Sequence, residues 1–217
     1  MNQPPIHLWG IQISEPTTTI TDLMVAGVCF YGYYQLNKVK GPSKALWFVK
    51  YYLLMLCIST TLGGILGHAF QHAVAFEWKL PGWLFGMYAL LFMERASIEQ
   101  ARSLLTPQQG RLLTIFNFVE IFVFTVIVFW TLNFIFVGIH SVFALLLVVF
   151  PLQIFIYRKT QNAASMDFIK GVGWSFVAYI VFLSKAAPHP FFNALDMAHI
   201  FMAIAAWQFY QGGRKLI

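Results

Sequence analysis

The stretch Phe191–Tyr210, reading FFNALDMAHIFMAIAAWQFY, is apolar almost throughout, yet it carries Asn193, Asp196 and His199 on successive turns. A helix rising about 1.5 Å per residue over this length reaches across the roughly 30 Å of a bilayer's hydrocarbon core. An aspartate inside such a span costs about 2.5–3.5 kcal/mol on insertion scales, so it needs a partner or a polar cavity. The stretch therefore predicts a membrane-spanning helix with a polar stripe, and the rest of the chain has to supply what meets that stripe.

The composition agrees with this. Of 217 residues, 59% are apolar and 10% charged, and 23 are Phe. Soluble domains average about 25% charged residues, so a chain this apolar has lipid as its main solvent. The net charge of +6 then reads as loop lysines and arginines that orient the spans, and not as a nucleic-acid surface. Cys29 and Cys57 fall within apolar stretches and read as packing residues, not a disulfide framework. The N-terminal segment, with prolines at 4, 5 and 16, contains no apolar signal-like run, so the first span is expected to act as its own insertion signal.

Seven apolar stretches predict a single all-α domain over 1–217, a polytopic seven-transmembrane bundle with spans at about 20–36, 47–71, 81–101, 112–132, 139–157, 167–183 and 191–210. Thr19 and Asp22 have capping-box spacing at the start of the first. The second ends in Gly63-Gly64-Ile65-Leu66-Gly67-His68, whose GxxxG permits close helix approach. His72 follows His68 by one turn. Pro81 suits the first turn of the third span, and Ser165 is the expected N-cap of the sixth. Arg95, Glu99 and Arg102 are spaced for i,i+4 and i,i+3 pairs. Glu94 and Glu120 lie deeper and suggest a second polar layer with Asn117 or Gln153.

With the N-terminus outside and the C-terminus inside, eleven cations fall on the inner side (Lys38, Lys40, Lys44, Lys50, Arg102, Arg111, Arg158, Lys159, Lys170, Arg214, Lys215) and only Lys79 and Lys185 on the outer. That is the positive-inside pattern of a protein integral to a plasma or inner membrane. The orientation fixes depth. His68 and His72 lie at the outer end of the second span, His140 at the outer start of the fifth, and Asn193, Asp196 and His199 in the outer half of the seventh.

These residues form the candidate site, and three readings of it stay open. His68, His140, Asp196 and His199 are ligand types for zinc or another transition metal, which could activate water for hydrolysis of a lipid ester or amide. They could instead bind protons or a small-molecule ligand without catalysis. Or Asp196 and His199, three residues apart, could satisfy each other and cross-link helices. His72 reads as solvated at the interface, while His7 and His189 read as tail and loop residues. No Ser-His-Asp spacing, glycine-rich phosphate loop or CxxC is present.

In layout the chain resembles the CREST superfamily of seven-span membrane hydrolases, which includes alkaline ceramidases and adiponectin-receptor-like proteins. The resemblance rests on the seven spans, His68 late in the second and His199 in a polar seventh. It implies an intramembrane zinc held by one histidine of the second span and two of the seventh, with a nearby serine and aspartate. At the serine position stands Gly64, and at the first seventh-span histidine position Leu195, with Asn193 and Asp196 beside it; the nearest acid to the start of the third span is Glu77.

Overall fold

A computed structural model describes residues 3–39, 41 and 43–216; Lys40, counted above among the inner cations, lies outside them. Among the described residues the chain forms seven long helices: α1 Pro16–Asn37, α2 Lys44–Ala69, α3 Leu80–Ala101, α4 Pro107–Thr131, α5 Phe134–Thr160, α6 Ala163–Ser184 and α7 Ala194–Arg214. Each overlaps one of the seven apolar stretches. The fold class holds at the coarser level of a mostly helical chain, in which α2, α4, α5 and α6 are long and apolar enough to cross a membrane.

Local sequence explains the helix ends. Pro16 and Pro81 stand in the first turns of α1 and α3, where a missing N–H removes nothing the helix uses. Thr106 and Gln109 form a capping box on α4, as Asn193 and Asp196 do on α7. Helices α4, α5 and α6 stop at Leu132, Gln161 and Lys185, each left-handed with φ of 47°, 53° and 52°. Two expected caps are corrected. Asn162, not Ser165, caps α6 by accepting from the Ala164 N–H. Helix α1 starts at Pro16, so Asp22 lies almost two turns inside it and is not a cap.

The helices close into a ring. α1 packs between α2 and α7, α2 pairs with α3, α7 with α6, and the C-terminal half of α5 reaches back to α6, while α4 lies outside against α3 and α5. The main core gathers Val25, Cys29, Leu53, Met93, Val149, Phe168 and Phe209 from six of the seven helices. Helix α4 turns Phe116, Phe118, Phe122, Val126, Phe129 and Trp130 outward, an apolar surface too continuous for water.

The expectation of an all-α chain with an irregular tail needs one amendment. Residues Ile6–Leu8 (β1) and Ile11–Ile13 (β2) pair antiparallel, Ile6 opposite Ile13. Their turn, Trp9-Gly10, has φ of 51° and 80°, the positive-φ pair whose twist suits a two-residue hairpin. The hairpin is tied to the end of α2 by the Ser14 N–H, which donates to Ala69 O at 3.0 Å.

Candidate functional site

The first turns of α1, the last turns of α2 and the first turns of α7 meet at one pole of the bundle, and their polar side chains converge on Asp22. One carboxylate oxygen lies 3.3 Å from His199 Nε2 and the other 3.7 Å from His68 Nε2. The two imidazole centroids are 6.4 Å apart. Asp22 and His199 are almost fully buried, and His68 is partly open.

The far nitrogen of each ring is held. His68 Nδ1 meets Glu15 Oε2 at 2.5 Å, and His199 Nδ1 meets Thr21 Oγ1 at 3.0 Å. The Thr21 hydroxyl donates its own hydrogen to Thr18 O at 3.1 Å, so its oxygen accepts and His199 Nδ1 carries the proton. Glu15 likewise accepts from His68 Nδ1. In the neutral tautomers, assigned from these partners, both Nε2 atoms are therefore unprotonated and lie near the Asp22 carboxylate without a hydrogen bond to it. Three acceptors facing one another repel unless a cation lies among them.

Burial works to raise the pKa of Glu15, but the hydrogen bond and charge of His68, a hydrogen bond from Gln71 and the charge of Lys79 outweigh it, so the carboxyl is held below its ordinary range. Glu15 precedes α1 and stays an anion at neutral pH.

Asp22 fits because α2 has glycines where α1 crosses it. A Cβ on Gly64 would lie 3.0 Å from Asp22 Cβ and 3.3 Å from Thr19 O, and one on Gly63 3.3 Å from Asp22 Oδ2. The position that the family resemblance assigns to serine is thus filled, in space, by Asp22. The approach occurs at Gly63 and Gly64, whereas nothing lies within 4 Å of a Cβ on Gly67. From Gly63 to Ala69 the helix is π-wound, and this turn carries His68.

Asp196 belongs to the same pole but does another job. Its Oδ1 accepts from Thr18 Oγ1, and its Oδ2 from Gln3 Nε2 and the Asn193 N–H, each at 2.7 Å. With three donors its charge is well compensated, and it ties the N-terminal segment, α1 and α7 together. The expected mutual pairing of Asp196 with His199 does not occur: His199 turns to Thr21 and Asp22. Asn193 caps α7, and His72, exposed, pairs with Ser14 Oγ at 2.9 Å. His7 and His189 are exposed. Above the centre lies a cleft of about 320 Å³ lined by Glu15, His68, Gln71, Lys79, Lys185 and Asn193, among others, so His68 faces both the cleft and Asp22.

His140 is the clear correction among the candidate ligands. Its helix packs on α3 and α4, and its ring is fully buried against Phe124, with Nε2 3.3 Å from Glu120 Oε1. It joins the second polar layer: Glu94 on α3 accepts from Asn117 Nδ2 on α4, and Glu120 lies one turn further along the same helix. The expected partnership of Glu94 with Asn117 is present. Gln153 goes elsewhere, to Ser97 and Gln100 at 3.0 Å each. Among the described residues, no three His, Cys, Asp or Glu side chains are arranged to hold a metal ion.

The sequence reading missed Asp22, Glu15, Thr21 and Gln3. A signal for Asp22 exists: Thr18, Asp22, Val25, Cys29, Gly32 and Leu36 are all buried and recur at intervals of three or four, so Asp22 lies on the buried stripe of α1. Nothing local marks Glu15 or Gln3, whose partners are 53 and 193 residues away.

No curated protein and no solved structure matches the chain. The model of a family of unknown function, DUF6962, matches residues 17–217, which takes in all seven helices but for Pro16, and the acid–histidine centre except Glu15, and the chain belongs to that family.

Proposed function

We propose that this chain is a seven-span integral membrane protein, N-terminus outside and C-terminus inside, whose outer Asp22–His68–His199 centre binds an exchangeable proton and, through the cleft above it, a small polar or lipid-derived ligand. The observation that carries this reading is the pair of ring Nε2 atoms 3.3 and 3.7 Å from one carboxylate, with no donor between them. A proton placed on any of the three turns a repulsion into a hydrogen bond. A ligand in the cleft reaches His68 directly, so ligand and proton occupancy are coupled through that ring. The three helices that fall short of the others in apolarity, α1, α3 and α7, are those carrying Asp22, Glu94 and Asp196, which is how a polar centre inside a membrane bundle would present itself.

A second reading, a zinc-dependent hydrolase of lipid amides or esters as in the CREST group, is favoured by one feature. Two ligands each about 2.0–2.1 Å from a tetrahedral zinc lie about 3.3 Å apart, close to the 3.3 and 3.7 Å between Asp22 and the two rings, and each ring is oriented by a second partner as metal-bound histidines are. Against it, centroids 6.4 Å apart would have to close by about 1 Å to share a tetrahedral ion. The donor set suits the metal and its present spacing does not.

One experiment separates them. The protein is purified in detergent, bound metal is measured by elemental analysis, and ring-nitrogen NMR signals of labelled histidine are followed against pH in wild type, Asp22→Asn and His199→Ala. The proton reading expects no stoichiometric metal and pH-dependent histidine signals that change in Asp22→Asn. Stoichiometric zinc lost in His199→Ala moves the assignment to the hydrolase. Metal-free protein whose histidine signals ignore both pH and Asp22→Asn leaves the centre as a structural cross-link and overturns the proposal.

A further inference from the structure

At the opposite pole, independent of the acid–histidine centre, a cavity of about 500 Å³ opens where α2 and α6 begin and α3 and α7 end. Lys44, Arg102 and Lys215, from three separate segments, line it, with Glu99 as the one acid among its lining residues. Two helix N-termini there face two C-termini, so their dipoles largely cancel and side chains decide the sign of the site.

The charges are held in place. Arg102 Nη2 donates to Glu99 Oε1 at 2.6 Å and to Thr114 Oγ1 at 3.2 Å. Glu99 also takes Arg95 at 3.4 Å. Lys215 Nζ is 2.5 Å from Asp167. Lys44 has no ion-pair partner among the described residues. Three cations of the cavity thus meet two carboxylates, and the positive charge of Lys44 is left over. Gln100 and Asn162 add neutral amides to the wall. Behind it, Gln100 is braced by Ser165 at 3.1 Å and Gln153 at 3.0 Å.

Orientation of the spans requires basic residues at this pole, but it does not require them to converge. Loop lysines that serve only topology point separately into water. Here three cations surround one concavity, and two of them are each fixed by a carboxylate, Arg102 by Glu99 in the wall and Lys215 by Asp167 outside it, which leaves remaining N–H donors for an anion. We infer that this cavity binds a phosphate monoester, whose charge of −1.5 to −2 near neutral pH is met by Lys44 and by the spare N–H donors of Arg102 and Lys215. The cavity sits at the helix ends with Ala45 and Leu216 on its wall, where the proposed spans would bring it to lipid headgroups. An anionic lipid headgroup and a soluble phosphate compound share this chemistry.

The test titrates detergent-solubilised full-length protein with short-chain phosphatidic acid, short-chain phosphatidylcholine or inorganic phosphate, reading the thermal unfolding midpoint. Phosphatidic acid is expected to raise the midpoint and phosphatidylcholine to leave it unchanged. Lys44→Gln, which disturbs no ion pair, is expected to weaken the apparent affinity about tenfold, the worth of one hydrogen bond to a charged group; Lys44→Gln with Lys215→Gln weakens it further. An equal response to inorganic phosphate identifies the soluble source, a response to phosphatidic acid alone the lipid source, and either supports the site. The inference is overturned if no phosphate compound moves the midpoint, or if the response to phosphatidic acid is the same in Lys44→Gln and the double variant as in wild type.

Discussion

Asp22 is surrounded by acceptors and buried by glycines, so its substitutions should separate charge from shape. Asp22→Ala removes the carboxylate that a shared proton would bridge to the rings and leaves the buried His199 Nε2 facing a void, and we expect a loss of about 1–3 kcal/mol in detergent unfolding. Asp22→Asn keeps the shape, and its amide N–H can donate to one Nε2, so it should fall nearer to wild type while abolishing the demand for a cation. The reverse order of the two variants would mean that the carboxylate charge itself holds the helices together. Glu15 gives a pH prediction. Its folded pKa is depressed, so its contribution is present above the ordinary carboxylate value of about 4.3 and is lost as pH falls through the lower folded value. Glu15→Gln should cost about 1 kcal/mol at neutral pH, where a charge-assisted bond becomes a neutral one, and should make the acid side of a stability–pH curve less steep. A curve that keeps the wild-type acid slope would remove Glu15 from the account. The histidines at 68 and 199 were legible beforehand because span direction fixes depth. His140 has a similar depth and a different neighbour, because depth carries no information on which helix lies beside which.

At the scale of elements, the seven stretches were visible because lipid demands unbroken apolar runs, and the helix ends followed from prolines, asparagines and capping pairs. The end of α2 was not visible. A regular 3.6-residue period puts His68 and His72 on one face, but the π-wound turn ends at Ala69, and His72 leaves for Ser14 and solvent. Such turns recur at functional sites, and this one places His68 between Asp22 and Glu15. The glycines make the element testable. Gly64→Ser puts a Cβ 3.0 Å from Asp22 Cβ and against the Thr19 carbonyl. Neither the helix backbone nor a buried aspartate gives way easily, so a loss of about 1–3 kcal/mol is expected. Gly67→Ala meets nothing within 4 Å and should be neutral or slightly stabilising, since alanine is favoured over glycine in a helix by about 1 kcal/mol. Equal penalties in thermal unfolding at the two positions would mean that the α1–α2 crossing is not where the contacts place it.

At the scale of the whole molecule, the question is whether α1, α3 and α7 cross the membrane as α2, α4, α5 and α6 are apolar enough to do. Their polar residues point inward, to Asp22, Glu94 and Asp196 in the ring, so the lipid-facing surface stays apolar although the average does not. A sequence average mixes the two faces, which is why composition made these three helices look weaker than their surfaces are. Single cysteines read with a membrane-impermeant thiol reagent settle the crossing, in a background with Cys57 replaced by alanine and Cys29 left buried. Trp9→Cys, Ala75→Cys and Ala187→Cys, all exposed, should label on intact cells. Gln108→Cys and Arg214→Cys should label only after permeabilisation. Labelling at 9 and 75 from the same side requires an even number of crossings between them, so α1 must cross if α2 does. Opposite sides for 75 and 108 require α3 to cross, and opposite sides for 187 and 214 require α7 to cross. If 9 and 75 fall on opposite sides, or 75 and 108 or 187 and 214 on the same side, at least one of the three polar helices lies along the membrane instead of through it. The acid–histidine centre would then open to water on a side that the distribution of basic residues does not predict.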